Sequence, residues 1–92
     1  MADQQRFPLP RLNNHNYQTW KFKIEMMLIR DELWHVISEE QPNAVTDAWR
    51  KADMKARATI GLCVEDSQTS LIRNSTTAKA AWQALKNYQF IY

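Results

Sequence analysis

The sequence predicts an all-α fold: a compact bundle of about five helices behind an extended N-terminal segment. Three observations carry this. The only glycine is Gly61 and the only prolines are Pro8, Pro10 and Pro42, so the regularly spaced turn residues that hairpins and sandwiches need are missing. Ala, Lys, Gln, Met and Leu, which favour helix, are plentiful. Apolar residues recur at the spacing of helical faces rather than in alternation. With 92 residues, 45% of them apolar and four of them Trp, the chain reads as one domain with an ample but small core. We read residues 1–11 as extended and 12–89 as a helical lobe.

Each element has a local reason. Pro8 and Pro10 fix their own backbone and push Phe7 and Leu9 away from helix. Asn13 and Asn14 tolerate left-handed turns, and Asn16 suits the N-cap of a first helix over about Tyr17–Arg30. On that helix Tyr17, Trp20, Ile24, Met27 and Leu28 share one face, while Phe22, Met26 and Ile29 form a second apolar stripe nearly opposite. A helix apolar on two sides must be covered on two sides. It is therefore either the central helix of the bundle or a helix with one stripe offered to a partner.

The run DELWHVI predicts a short second helix with Leu33, Trp34 and Ile37 inward, followed by a loop around Pro42. Thr46 or Asp47 caps a third helix, about Asp47–Val64, whose inward line is Trp49, Ala52, Ala56, Ile60 and Cys63. Gly61 inside this helix points to close packing by a neighbour. A turn with Asp66 as a cap leads to a short helix holding Leu71 and Ile72. Ser75 or Thr76 caps a last helix, about Thr77–Gln89, with Ala78, Ala81, Trp82, Leu85 and Tyr88 on one face. The connections are short, so sequential helices should pack as neighbours. The expected core is Tyr17, Trp20, Ile24, Trp34, Trp49, Ile60, Trp82 and Leu85, because each indole shares its face with aliphatic residues.

Composition narrows function. A net charge of +2 is too weak to imply nucleic acid or an acidic membrane. The N-terminus lacks an apolar signal core, and Ala2 does not accept myristate. A lone Cys63 fits a reducing, cytoplasmic setting. His15 and His35 with one Cys offer no zinc-like spacing. Asp66 and Ser67 have no partner to complete a triad, no glycine-rich phosphate loop exists, and Glu39 and Glu40 read as solvated. We therefore expect no catalytic residue, metal, cofactor or small-molecule substrate. The outer face of the third helix, with Arg50, Lys51, Lys55 and Arg57, is a weak candidate for RNA contact. Phe22, Met26 and Ile29, extended by Leu33, are the candidate protein interface; the competing expectation is that Phe7 and Leu9 cover them.

The run LNNHNYQTWKFKIEMMLIRDELWHVI resembles the opening of copia-type retrotransposon Gag polyproteins. Leu12, Asn16, Tyr17, Trp20, Lys21, Leu33, Trp34, Val36 and Ile37 match that pattern. WRKADMKARATIGLCVEDS is similar to the family's Trp-then-Ala-rich helix, and TTAKAAWQALKNY to its closing Ala-Trp-x-x-Leu helix. Asn14 stands where the family commonly has Gly; Asn is the next-best residue for a left-handed turn. The resemblance implies a fold like the N-terminal lobe of retroviral capsid and a structural role in virus-like particles. The implied partner is the chain itself or full-length Gag. A domesticated fragment that interferes with Gag assembly, or a weak RNA-binding domain, are the alternatives. The chain ends at NYQFIY, ahead of the family's C-terminal lobe and zinc knuckle, which implies weak RNA binding and incomplete shell assembly by this stretch alone.

Overall fold

The computed structural model describes residues 11–89. The element order is α1 (Tyr17–Arg30), α2 (His35–Ser38), α3 (Asp47–Leu62), α4 (Thr69–Ile72) and α5 (Ala78–Gln89), with a 3-10 turn, Asp66–Gln68, running into α4. The extended segment expected over 1–11 falls, but for Arg11, outside the described residues, as do Phe7 and Leu9.

The all-α expectation holds, and each boundary has a physical cause. α3 opens at Thr46, whose Oγ1 accepts the Trp49 N–H at 3.0 Å. It ends at Leu62 rather than Val64, because Val64 leaves the helix to form a parallel bridge with Leu12. In that bridge the Leu12 N–H donates to Cys63 O and the Glu65 N–H to Leu12 O, both at 2.9 Å. Asn16 is the N-cap residue of α1, but its amide faces backwards. Its Oδ1 accepts the Asn13 N–H and its Nδ2 donates to Arg11 O, both at 2.9 Å. The amide therefore closes the loop before the helix instead of the helix end. The expected cap role of Asp66 is not found: Glu65 is the N-cap position of the 3-10 turn, without a side-chain cap bond.

α1 ends in a Schellman motif. The Leu33 N–H donates to Leu28 O at 2.7 Å and the Glu32 N–H to Ile29 O at 3.0 Å. Glu32 takes the left-handed conformation this requires, φ 63°, where glycine is the usual choice, and it is the only non-glycine with positive φ among the described residues. Asn13 and Asn14 therefore need no left-handed backbone. Instead the Asn14 Oδ1 accepts a bond from Gln68 Nε2 at 3.1 Å, and Gln68 is almost fully buried.

α5, not α1, is the hub of the bundle: α2, α3 and α4 all pack against it. Two of those three neighbours are not adjacent in the chain, so sequential packing describes only part of the fold. Ala78, Ala81, Trp82 and Leu85 are its buried face. The small Ala78 and Ala81, both fully buried, let other backbones come close.

The remaining core is Leu12, Tyr17, Trp20, Ile24, Leu28, Leu33, Val36, Ile37, Ala56, Ile60, Cys63 and Val64. Trp34 and Trp49, expected in the core, pack against it but remain partly exposed. An aromatic chain runs through the core from α1 to α2. Tyr17 stacks on Trp20 (centroids 6.3 Å apart), Trp20 on Trp82 (5.6 Å), and Trp34 meets Trp82 edge-on (5.3 Å). Such pairs add about 0.5–1.5 kcal/mol each beyond their burial.

Gly61 does not mark a tight contact. A methyl group placed on it would meet no neighbour within 4 Å, so the close packing expected there is absent.

Candidate functional site

The outward face of α1 is the most unusual surface of the fold. Tyr17, Trp20, Ile24 and Leu28 on its inner side are buried. Phe22, Met26 and Ile29 on the other side are 60%, 42% and 46% exposed. At about 100° per residue these three span roughly 60° of helix circumference, centred opposite the core. They form one continuous strip two turns long, at spacings of four and three residues. A single exposed apolar side chain is ordinary; a contiguous strip on one face marks a contact surface.

Leu33, which the sequence offered both as an inward residue and as an extension of this strip, is inward and does not belong to the strip. It is 8% exposed. The Schellman turn causes this: the residue two past the C-cap folds back over the helix end, and Leu33 packs into the core alongside Leu28.

The basic residues of α3 are also redistributed. Along the helix, Arg50 and Arg57 lie about 20° apart and Lys51 and Lys55 about 40° apart, but the two pairs face different directions. Arg57 is committed to the fold: its Nη1 donates to Ser75 O at 3.2 Å and Thr76 O at 2.9 Å, in the connection before α5. Arg50 pairs with Asp47 at 2.8 Å on the surface. Lys51 and Lys55 remain exposed. The four residues therefore make no common basic face.

Beside Arg57, Asp53 plays a part that its place near charged neighbours concealed. It is 6% exposed, and its Oδ1 accepts the Ala78 N–H at 2.8 Å. Thr77 Oγ1 accepts the Ala80 N–H at 3.0 Å. Two of the four unpaired amides at the start of α5 are thus satisfied, one of them by another helix. Asp at this end also faces the positive pole of the helix dipole.

No arrangement for catalysis is assembled among the described residues. His15 lies in the loop before α1 and His35 opens α2, both exposed. Asp66 and Ser67 are exposed on the 3-10 turn. No group of three His, Cys, Asp or Glu side chains among the described residues could hold a metal ion. Cys63 is buried, and burial pushes its thiol up from the ordinary range, with the Arg11 charge opposing weakly. Such a thiol stays protonated and is a poor nucleophile. An open depression of about 420 Å³ is lined by Trp49, Asp53, Met54 and Arg57 among others. Another of about 500 Å³ is lined by Asp31, Leu33, Lys55, Ala58 and Thr59. In the first, Asp53 and Arg57 are already engaged in holding α5. No helix among the described residues is long and apolar enough to cross a membrane.

The molecule is thus an all-helical lobe whose surface carries an exposed apolar strip on α1. The family model described as the gag-polypeptide of LTR copia-type matches residues 24–89, and the chain belongs to that family. No solved structure matches it. The matched stretch begins midway through α1 and runs to the end of α5. It contains Leu33, Trp34, Val36, Ile37 and the Ala-Trp-x-x-Leu helix. Leu12, Asn16, Tyr17, Trp20 and Lys21 precede it. The fold ties them to it physically: the Trp20 indole Nε1 donates to the buried Cys63 carbonyl at 2.7 Å, the same oxygen that accepts the Leu12 N–H. The family is structural rather than catalytic.

Proposed function

We propose that this chain is a non-enzymatic capsid-type lobe of Gag that associates with further copies of Gag through the outward face of α1, in the building of cytoplasmic virus-like particles. The observation that carries the reading is the exposed strip of Phe22, Met26 and Ile29 on a helix whose opposite face is fully buried. Family membership supports the structural role. These three side chains are already about half covered, so burying the remainder supplies roughly 1–1.5 kcal/mol each before the entropy of association is subtracted. That predicts weak pairing of single lobes, strengthened when many copies meet.

Sedimentation of the wild type against Phe22→Asp and Met26→Asp tests this. Both variants should lose association at millimolar concentration. Their helical circular dichroism and melting should stay at wild-type values, because the substituted positions face solvent. Variants that unfold would show that the strip is part of the core and would remove the reading. A fragment that interferes with Gag assembly would use the same strip, and co-sedimentation with full-length Gag distinguishes that role. RNA contact by Arg50, Lys51, Lys55 and Arg57 as one surface loses its basis, since Arg57 is engaged at α5 and the pairs diverge.

A further inference from the structure

The strip on α1 has a sulfur atom at its middle. Met26 stands four residues after Phe22 and three before Ile29, and all three side chains are exposed. A thioether is apolar, flexible and polarisable, which suits a contact that must adapt to a facing surface. It is also the one side chain of the three that a mild oxidant converts into a polar group.

The other sulfur atoms among the described residues are placed differently. Met27, the next residue along, is half-buried and packs against the core. Met54 is exposed, but it stands on α3, away from the strip. Cys63 is buried, and burial keeps its thiol protonated, so the reactive thiolate is scarce. An oxidant in solution therefore meets Met26 and Met54 ahead of Met27 and Cys63. Of the two exposed sulfurs, only Met26 lies where copies would touch.

Resting on the self-association reading above, we propose that Met26 is an oxidation site, and that its conversion to the sulfoxide by hydrogen peroxide releases the contact between copies while leaving the lobe folded. The sulfur lone pair attacks one peroxide oxygen and the O–O bond breaks. An S–O bond forms, and the displaced hydroxide takes the proton from the transferred oxygen and departs as water. Sulfur gives up two electrons and the peroxide accepts them. The product is a hydrogen-bond acceptor, and none of the three strip side chains carries a donor. Closing two copies over it removes its water without replacement, which disfavours the associated state. The fold is spared because Met26 lies on the side of α1 opposite to the buried Tyr17, Trp20, Ile24 and Leu28. Oxidation and association then oppose each other: what the contact covers, peroxide reaches slowly, so association protects the sulfur it depends on.

Dilute hydrogen peroxide, peptide mapping by mass spectrometry and sedimentation equilibrium at millimolar concentration test this on the full chain. Met26 and Met54 should each gain one oxygen before Met27 or Cys63 changes. The oxidised chain should associate about tenfold more weakly, with its helical circular dichroism unaltered. Met26→Leu conserves volume and keeps every other methionine, so it should associate like the wild type and hold that association through peroxide treatment. Met54→Leu should lose association on treatment just as the wild type does. Raising the protein concentration should slow oxidation of Met26 relative to Met54, which serves as the internal reference. Undiminished association of chains oxidised at Met26 overturns the proposal, and so does equal sensitivity to peroxide in Met26→Leu. Loss of the helical signal on Met26 oxidation overturns it as well, because the sulfur then belongs to the fold. The two readings fail differently. An untreated wild type that stays monomeric removes self-association and the switch together. Untreated chains that associate through Phe22 but ignore oxidation of Met26 remove only the switch.

Discussion

Helices α1 and α5 are built from the same kinds of residue and meet at the Trp20–Trp82 stack, yet they solve opposite problems. α5 buries Ala78, Ala81, Trp82 and Leu85, and its other positions are largely polar, so the lobe satisfies it completely. α1 buries Tyr17, Trp20, Ile24 and Leu28 and still presents Phe22, Met26 and Ile29 to solvent. The hub is the helix with one apolar face and small residues that admit three neighbours. The helix with two apolar faces sits at the edge. Amphipathicity alone would have ranked them the other way, because a second greasy face invites a central position. The difference teaches that surplus apolar surface does not by itself place a helix at the centre.

The largest test of this division lies where the two helices touch. Trp82→Ala and Trp20→Ala should each cost about 3–5 kcal/mol, enough to abolish cooperative unfolding in a domain of this size. Urea titration followed by circular dichroism reads this directly. Trp20→Phe should cost less, about 1–3 kcal/mol, because it keeps most of the ring volume and loses the bond to the Cys63 carbonyl. Against these, Phe22→Asp, on the far side of α1, should change stability by no more than about 0.5 kcal/mol while abolishing association. Equal destabilisation by Phe22→Asp and Trp20→Ala would erase the distinction between the two faces.

Next in size is the junction of α3 with α5. Asp53→Ala should cost about 1–2 kcal/mol, because it leaves the Ala78 N–H without its acceptor in a buried place. Asp53→Asn keeps an acceptor oxygen and should recover much of that loss.

Smaller effects concern the single glycine. Gly61→Ala should stabilise by about 0.5–1 kcal/mol, since the position is helical and open. Glu32→Gly should stabilise by a similar amount, about 0.5–1 kcal/mol, by relieving a left-handed backbone that costs a side-chain-bearing residue roughly 1–2 kcal/mol. Paired melting curves check both, and a destabilised Gly61→Ala would mean α3 is crowded there after all.

The smallest expected effect is a pH dependence. Burial raises the Cys63 thiol and the Tyr17 phenol above their ordinary values. The unfolded chain then releases these protons first. Stability is full at neutral pH, falls as pH rises past the ordinary thiol value of about 8.5, and falls further past about 10 as tyrosine follows. Urea midpoints should decline over this range, and Cys63→Ala should flatten the first part of the decline.

Much of this was legible in the residues. The span of α1, the Thr46 cap, the inward placement of Trp20, Ile24, Ile60, Trp82 and Leu85, and the existence of a second apolar stripe on α1 all follow from helical periodicity and cap chemistry, which act over one or two turns. The misjudged positions share a cause. Leu33 was offered two places, inward in the second helix and at the end of the outward strip, and the Schellman turn settles it in the core. Arg57 was read as surface charge, but it reaches carbonyls some 18 and 19 residues away. Asp53 carried no local signal of its role, because its partner is 25 residues away. Gln68 lay in a segment with no apolar signal, yet Asn14, 54 residues away, holds it inside.

By itself the sequence determined that the chain is helical, where most helices begin and end, and that α1 has more apolar surface than one core can cover. Those are consequences of backbone geometry, of capping groups within three or four residues, and of the periodic placement of side chains. Only the tertiary structure decided which helix became the hub, which charged residues serve the fold, and which apolar stripe stayed outside. These depend on contacts between residues distant in the chain, where a side chain's role is fixed by what approaches it rather than by what it is.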